Sequence, residues 1–156
     1  MASRIPTTTP ELLAMQLEQR ATVILSMTAN WSASQAMVEL HPGGPSGQNT
    51  IQHLTEVTRT TLSALDLELP FHGPGESWPE WRARFESVSA RLAEQVRNLT
   101  GTCLAKEPAI EILPEFKESL STRHGFLMGH VFHLGYHSGQ LGSIAAILSH
   151  SRPKKS

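Results

Sequence analysis

Three histidines, His130, His133 and His137, fall in the run Gly129-His130-Val131-Phe132-His133-Leu134-Gly135-Tyr136-His137-Ser138-Gly139-Gln140-Leu141. His133 and His137 are four positions apart. On an α-helix such residues lie one above the other, about 5–6 Å apart at Cβ. Two imidazoles held that way can reach a single divalent ion. The helical zinc motif with two histidines uses the same spacing, although the glutamate after its first histidine is Leu134 here. His130 precedes His133 by one turn, about 60° round the helix at 100° per residue. A third ligand then has to come from another helix, and His53 is the only histidine firmly inside one. His130 competes with it, as a further ligand, as a group behind the ligands, or as a contact for substrate. His41 and His72 fall in loops, His124 at a helix start and His150 near the end of the chain.

A histidine on a helix is more often structural or exposed than a ligand. Two on one apolar face are harder to explain that way, because each buried imidazole without a partner costs about 1–3 kcal/mol. Other chemistry is weakly marked. Cys103 is the single cysteine and has no histidine near it in sequence. The glycines of the histidine segment sit inside a helical pattern, so they signal close packing and not a phosphate loop. The Trp78, Trp81, Phe85 stripe reads as core.

These side chains need rigid elements to hold them. From His124 to Ser151 there is no Asp, Glu, Lys or Arg. Phe126, His130, His133, His137, Leu141, Ile144 and Leu148 share one face, and the glycines cluster opposite. A helix without a charged face is expected to be buried all round. It becomes the central helix, its small-residue side against another helix or a second subunit, and Thr122 or Ser121 caps it. Earlier in the chain, Thr9 and Pro10 predict a cap and first position for a helix to about Thr28, with Leu13, Leu17, Ile24 and Met27 inward. Ser32 and Gln35 form a capping box for a short piece through Glu39. After the turn His41–Pro45, a helix runs from Ser46 or Asn49 to Asp66, striped by Ile51, Leu54, Val57, Leu62 and Leu65. Ser77 and Glu80 open a strongly amphipathic helix through Leu99, and Thr100-Gly101 stops it. Between 102 and 121 Pro108 and Pro114 interrupt the pattern, so Ala109–Leu113 is an extended segment or a buried loop.

Four principal helices predict an all-α fold, a helical bundle. About ten loop residues between the second and third long helices can span 33–36 Å, enough to recross a bundle of helices about 30 Å long. An up-down-down-up order is therefore open alongside simple alternation. The 156 residues suit one domain at 10–150, with a flexible N-terminus at 1–9 and a frayed basic tail at 151–156. A net charge of −1 supplies no basic patch for nucleic acid or anionic lipid. Histidines, glycines and a glutamine break up the apolar run that membrane spanning needs. The polar start has no signal-peptide core, and one cysteine suits a reducing compartment, so a cytoplasmic setting is expected.

The segment His133-Leu-Gly-Tyr-His137-Ser-Gly-Gln140-Leu resembles the closing helix motif of the DinB/YfiT-like metalloprotein superfamily, His-x3-His-x-Gly-Gln before an apolar residue. Ser46-Gly-Gln-Asn-Thr-Ile-Gln-His53-Leu54 is similar to that family's second-helix pattern, a serine seven residues before a histidine-leucine pair. The order of elements agrees from about Pro10 to Leu148. The resemblance implies an up-down-down-up four-helix bundle, frequent homodimers, and a divalent metal site at His53, His133 and His137. Zinc, nickel and iron all accept imidazole. It further implies a small-molecule substrate, with thiol-S-transferases and isomerases that use a low-molecular-weight thiol among the relatives. Metal-assisted hydrolysis at the same site and a non-catalytic dimeric binding bundle are the alternatives. Ser138 stands where the family often has arginine, and His130 lies outside the pattern. Support for the ligands from Glu56, Glu111 or Glu115, or from none of them, stays open.

Overall fold

Each long helix begins where a hydroxyl side chain stands beside N–H groups that have no partner within the helix. The computed structural model describes residues 6–70 and 77–151. It contains α1 (Thr9–Met27), α2 (Ala33–Ala36), α3 (Gly47–Ala64), α4 (Trp78–Arg97), α5 (Gly101–Leu104) and α6 (Arg123–His150), with a 3-10 turn at Pro114–Phe116. Thr8, Ser46 and Thr122 accept from the backbone at Glu11, Asn49 and Gly125. At the start of α4 the Glu80 carboxylate accepts from the Ser77 backbone. Among the described residues there is no strand; a lone antiparallel bridge joins Glu39 to Ser46. The fold is all-α.

The long helices bury one shared core. α1 and α3 each pack on both α4 and α6. Leu13, Leu17 and Ile24 of α1, Ile51, Leu54 and Leu62 of α3, Phe85, Val88 and Leu92 of α4, and Leu127, Leu134 and Leu141 of α6 form a single cluster. Each fully buried leucine in it contributes about 1.5–3 kcal/mol. Polar contacts then fix how the helices meet. Arg82 of α4 donates to Leu25 O (3.0 Å) and Thr28 Oγ1 (3.2 Å), supplying at the end of α1 the cation that α1 itself lacks. Trp78 Nε1–H donates to Trp31 O at 2.9 Å, and the two indoles stack. Arg97 pairs with Glu18 at 2.6 Å on the surface, where such a pair is worth about 1 kcal/mol or less.

The turn before α3 places its first residues. Gly44 N–H donates to His41 O at 2.8 Å, and Gly43 takes φ 74° at the third position of that turn, behind Pro42. Gly47 lies so close to Trp31 that a Cβ there would stand 2.5 Å from the ring. α3 ends in a Schellman motif: Leu67 N–H donates to Leu62 O and Asp66 N–H to Ser63 O, with Asp66 at φ 57°.

Several boundaries differ from the sequence expectation. Thr8, not Thr9, caps α1, because only Thr8 exchanges hydrogen bonds with Glu11. The short piece after Ser32 ends at Ala36 and not Glu39, since Glu39 turns away to bridge Ser46. α3 stops at Ala64, two residues before Asp66. Thr100 does not merely end a helix; it caps α5 by accepting from Cys103 N–H. The 109–113 segment is not a buried loop, and it joins no strand. It is mostly exposed, tied by Ala109 N–H to Ala64 O at 2.8 Å, with Leu113 60% exposed. α6, free of charged residues after Arg123, is not buried all round, for Phe132 and Tyr136 are 72% and 66% exposed. The expected loop 67–76 and the two chain ends fall partly outside the described residues, and His72 wholly so.

Candidate metal centre

α3 and α6 pack side by side, and their contact brings together residues far apart in sequence. His53 of α3 and His133 and His137 of α6 offer ligand atoms that all lie within 4.8 Å of one another. His133 Nε2 is 2.9 Å from His53 Nε2 and 2.8 Å from His137 Nε2. His53 is exposed and the other two are half-buried, so the cluster opens to solvent on one side.

The protons around these rings can be followed. Gln140 Oε1 stands 2.7 Å from His137 Nδ1, and a carbonyl oxygen only accepts. The proton of neutral His137 is therefore on Nδ1, and its Nε2 presents a bare lone pair to His133. One Nε2–H on His133 can point at His137 or at His53, not both. If His53 donates to His133 instead, two lone pairs face each other between His133 and His137. Neutral rings cannot give both short contacts a linear hydrogen bond. A cation among the three nitrogens satisfies all of them, because each imidazole then turns a lone pair inward. The donor set thus fits one divalent ion, at the nitrogen–metal distances of about 2 Å usual for imidazole.

The electrostatics favour the ligand form. His133 is pushed down to about 4 by burial, then by His137 and His53. His137 is lowered by burial and by His53, against the opposing hydrogen bond to Gln140. Both therefore stay unprotonated at neutral pH, as metal binding requires.

His130 does not join the cluster. It is 3% exposed, and its Nε2 lies 3.2 Å from Thr58 Oγ1. Thr58 spends its own proton on Leu54 O at 2.7 Å, so His130 Nε2–H donates to the threonine and Nδ1 is left without a partner. Burial, with a smaller contribution from His133, pushes this imidazole down to about 3. It is a neutral core histidine one turn below the three clustered histidines.

The side chain hydrogen-bonded to His137 is Gln140, not Glu56, Glu111 or Glu115. Its Nε2 in turn donates to Tyr136 OH at 3.0 Å, and the Tyr136 ring meets His137 edge-on at 5.1 Å. Gln140 stands three residues after His137, the spacing of helical neighbours, so the signal was present in the sequence. Cys103 is half-buried, where Arg123 Nη1 donates to its Sγ at 3.3 Å. A groove of about 860 Å³ between α1 and α6, lined by Met15, Arg20, Val23, Met128 and Phe132, contains none of the three clustered histidines. No helix among the described residues is long and apolar enough to cross a membrane.

No protein-family model matches the chain, and neither does any curated protein. Among solved structures, the chain is similar to a crystal structure described as a conserved protein from Enterococcus faecalis. The TM-score is 0.72 over 94% of this chain and 100% of that one, at 12% identity. Likeness at that identity concerns the fold alone.

Proposed function

We propose that this chain is a DinB/YfiT-like metalloprotein, an up-down-down-up four-helix bundle in which His53, His133 and His137 hold one divalent ion for a thiol-S-transferase type of reaction. The observation that carries the proposal is the convergence of three Nε2 atoms from two helices, two of them on unprotonated rings. Contacts along the helices support the order. Arg82 meets Leu25 and Arg97 meets Glu18, so α4 runs against α1. His53 meets His133 and Thr58 meets His130, so α3 runs against α6. Gly135 lies by Arg20 and Gly142 by Met27, so α6 runs along α1.

Three imidazoles leave coordination positions free, and an ion held by them lowers the pKa of a thiol or water that reaches it. The chain's own contribution is placement. α6 sets two nitrogens one turn apart, α3 supplies the third, and the exposed edge at His53 gives a small molecule its approach. Zinc, nickel and iron all suit the donor set.

Elemental analysis of untagged protein tests this. Near one divalent ion per chain is expected for wild type, with loss of that ion in His53→Ala. Absence of metal from the wild type, even after reconstitution, would overturn the reading in favour of a non-catalytic bundle. Turnover that depends on an added low-molecular-weight thiol is expected; thiol-independent hydrolysis would move the assignment to a hydrolase.

A further inference from the structure

The side of the histidine cluster away from the shared nitrogens carries a second set of contacts, running from His137 Nδ1 to Gln140 and on to Tyr136. We infer that Gln140 is a positioning residue for the metal centre, with the Tyr136 hydroxyl anchoring its amide beside the ring. The inference rests on the metal-site reading and deepens it.

An imidazole has two nitrogens and, when neutral, one proton, so a ligand nitrogen is available only if the other carries the proton. Gln140 Oε1, at 2.7 Å, holds that proton on His137 Nδ1 and so presents the Nε2 lone pair to His133 and His53. An amide can also turn over. Its NH2 group would then donate to His137 Nδ1, the proton would move to Nε2, and the ligand lone pair would be lost. In the observed orientation Gln140 Nε2 donates to Tyr136 OH at 3.0 Å, which anchors the amide beside the His137 ring. Gln140 is half-buried and Tyr136 is exposed, so both can be replaced without opening the core.

Two measurements test the inference, and neither needs turnover. The first is titration of metal-free protein with Co2+ and with Zn2+. Gln140→Leu removes the acceptor and should weaken binding about 10- to 100-fold, the usual effect of losing the partner behind a histidine ligand. Gln140→Glu can only accept, so it should bind at least as tightly as wild type. Tyr136→Phe removes the anchor of the amide and should cost a few-fold. Affinity of the leucine variant within twofold of wild type, or a glutamate variant as weak as the leucine one, would overturn the role.

The second measurement is long-range proton–nitrogen NMR of the metal-free protein labelled at histidine. His137 should show protonated Nδ1 and bare Nε2 in wild type and in Gln140→Glu, and a mixed or reversed tautomer in Gln140→Leu. An Nε2-protonated His137 in wild type would sink the inference even if no metal bound. Wild type without metal affinity but with the expected tautomer would sink the metal site alone.

Discussion

Two layers of the α3–α6 contact lie one helical turn apart and use the same side chain to opposite ends. In the lower layer His130 is enclosed, its Nε2–H spent on Thr58, whose hydroxyl is spent on Leu54 O. In the upper layer His53, His133 and His137 turn their Nε2 atoms toward one another at 2.8 and 2.9 Å, beside solvent. Burial lowers the pKa of His130 in one layer and of His133 and His137 in the other. What separates them is the partner: a threonine makes one ring structural, whereas the absence of any neutral solution for three facing nitrogens makes the other layer a place for a cation. A histidine's role is thus decided by what faces its second nitrogen, not by burial or by position on the helix.

For the proposed metal site, the largest expected break in the comparison comes from removing the ion. With metal at about 100 times its dissociation constant, the native state gains about 2.7 kcal/mol. For a chain of this size each kcal/mol moves Tm by roughly 2–4 °C, so a chelator should lower Tm by roughly 5–10 °C. His137→Ala should show no chelator effect, because the upper layer is then broken already. Calorimetry with and without chelator measures both.

Acid should act next, through His130 in the lower layer and also through His133 and His137 in the upper one. His130 titrates at about 3 in the folded chain and at about 6.5 when unfolded. Between those values the unfolded chain binds the extra proton, so stability is full above pH 6.5 and falls as pH drops toward 3. At pH 5 the loss from this one group is about 2 kcal/mol. Urea melts of metal-free protein should show a shallower pH dependence for His130→Leu than for wild type across that window. Parallel curves would mean that His130 is not held neutral by the fold.

The smallest effect sharpens the difference between the layers. Thr58→Val removes the oxygen that accepts from His130 Nε2–H, leaving a ring whose Nδ1 already has no partner. A loss of about 1 kcal/mol or somewhat more is expected. Zn2+ affinity should not change. A metal affinity that falls with Thr58→Val would show the two layers to be coupled.

Local features were legible in the residue order because they depend on neighbours. Ser32 with Gln35 and Ser77 with Glu80 announced helix starts through capping chemistry that spans three positions. His133 and His137 announced a shared face by their spacing alone. The errors arose where distant contacts intervene. A helix lacking charge was expected to be buried, yet Phe132 and Tyr136 stand in solvent, because α1 and α3 leave part of α6 uncovered. The residue order leaves open whether an acid supports the three histidines, and the partner of His137 is an amide three residues on in the same helix. Thr58 gave no sign that it would settle the role of His130, since the two are 72 positions apart.

Sequence by itself determined the all-α class, most of the core stripes of α1, α3 and α4, and the pairing of two histidines on α6, for each follows from the helical period and short-range hydrogen bonding. It misplaced the buried side of α6, since Leu127, Val131 and Leu134 lie in the core. Only the tertiary structure decided that His53 meets that pair across 80 positions while His130 meets Thr58. Which imidazoles face each other depends on the register in which α3 packs against α6. That register is set by how buried side chains from all the long helices fill one core, and no local spacing encodes it.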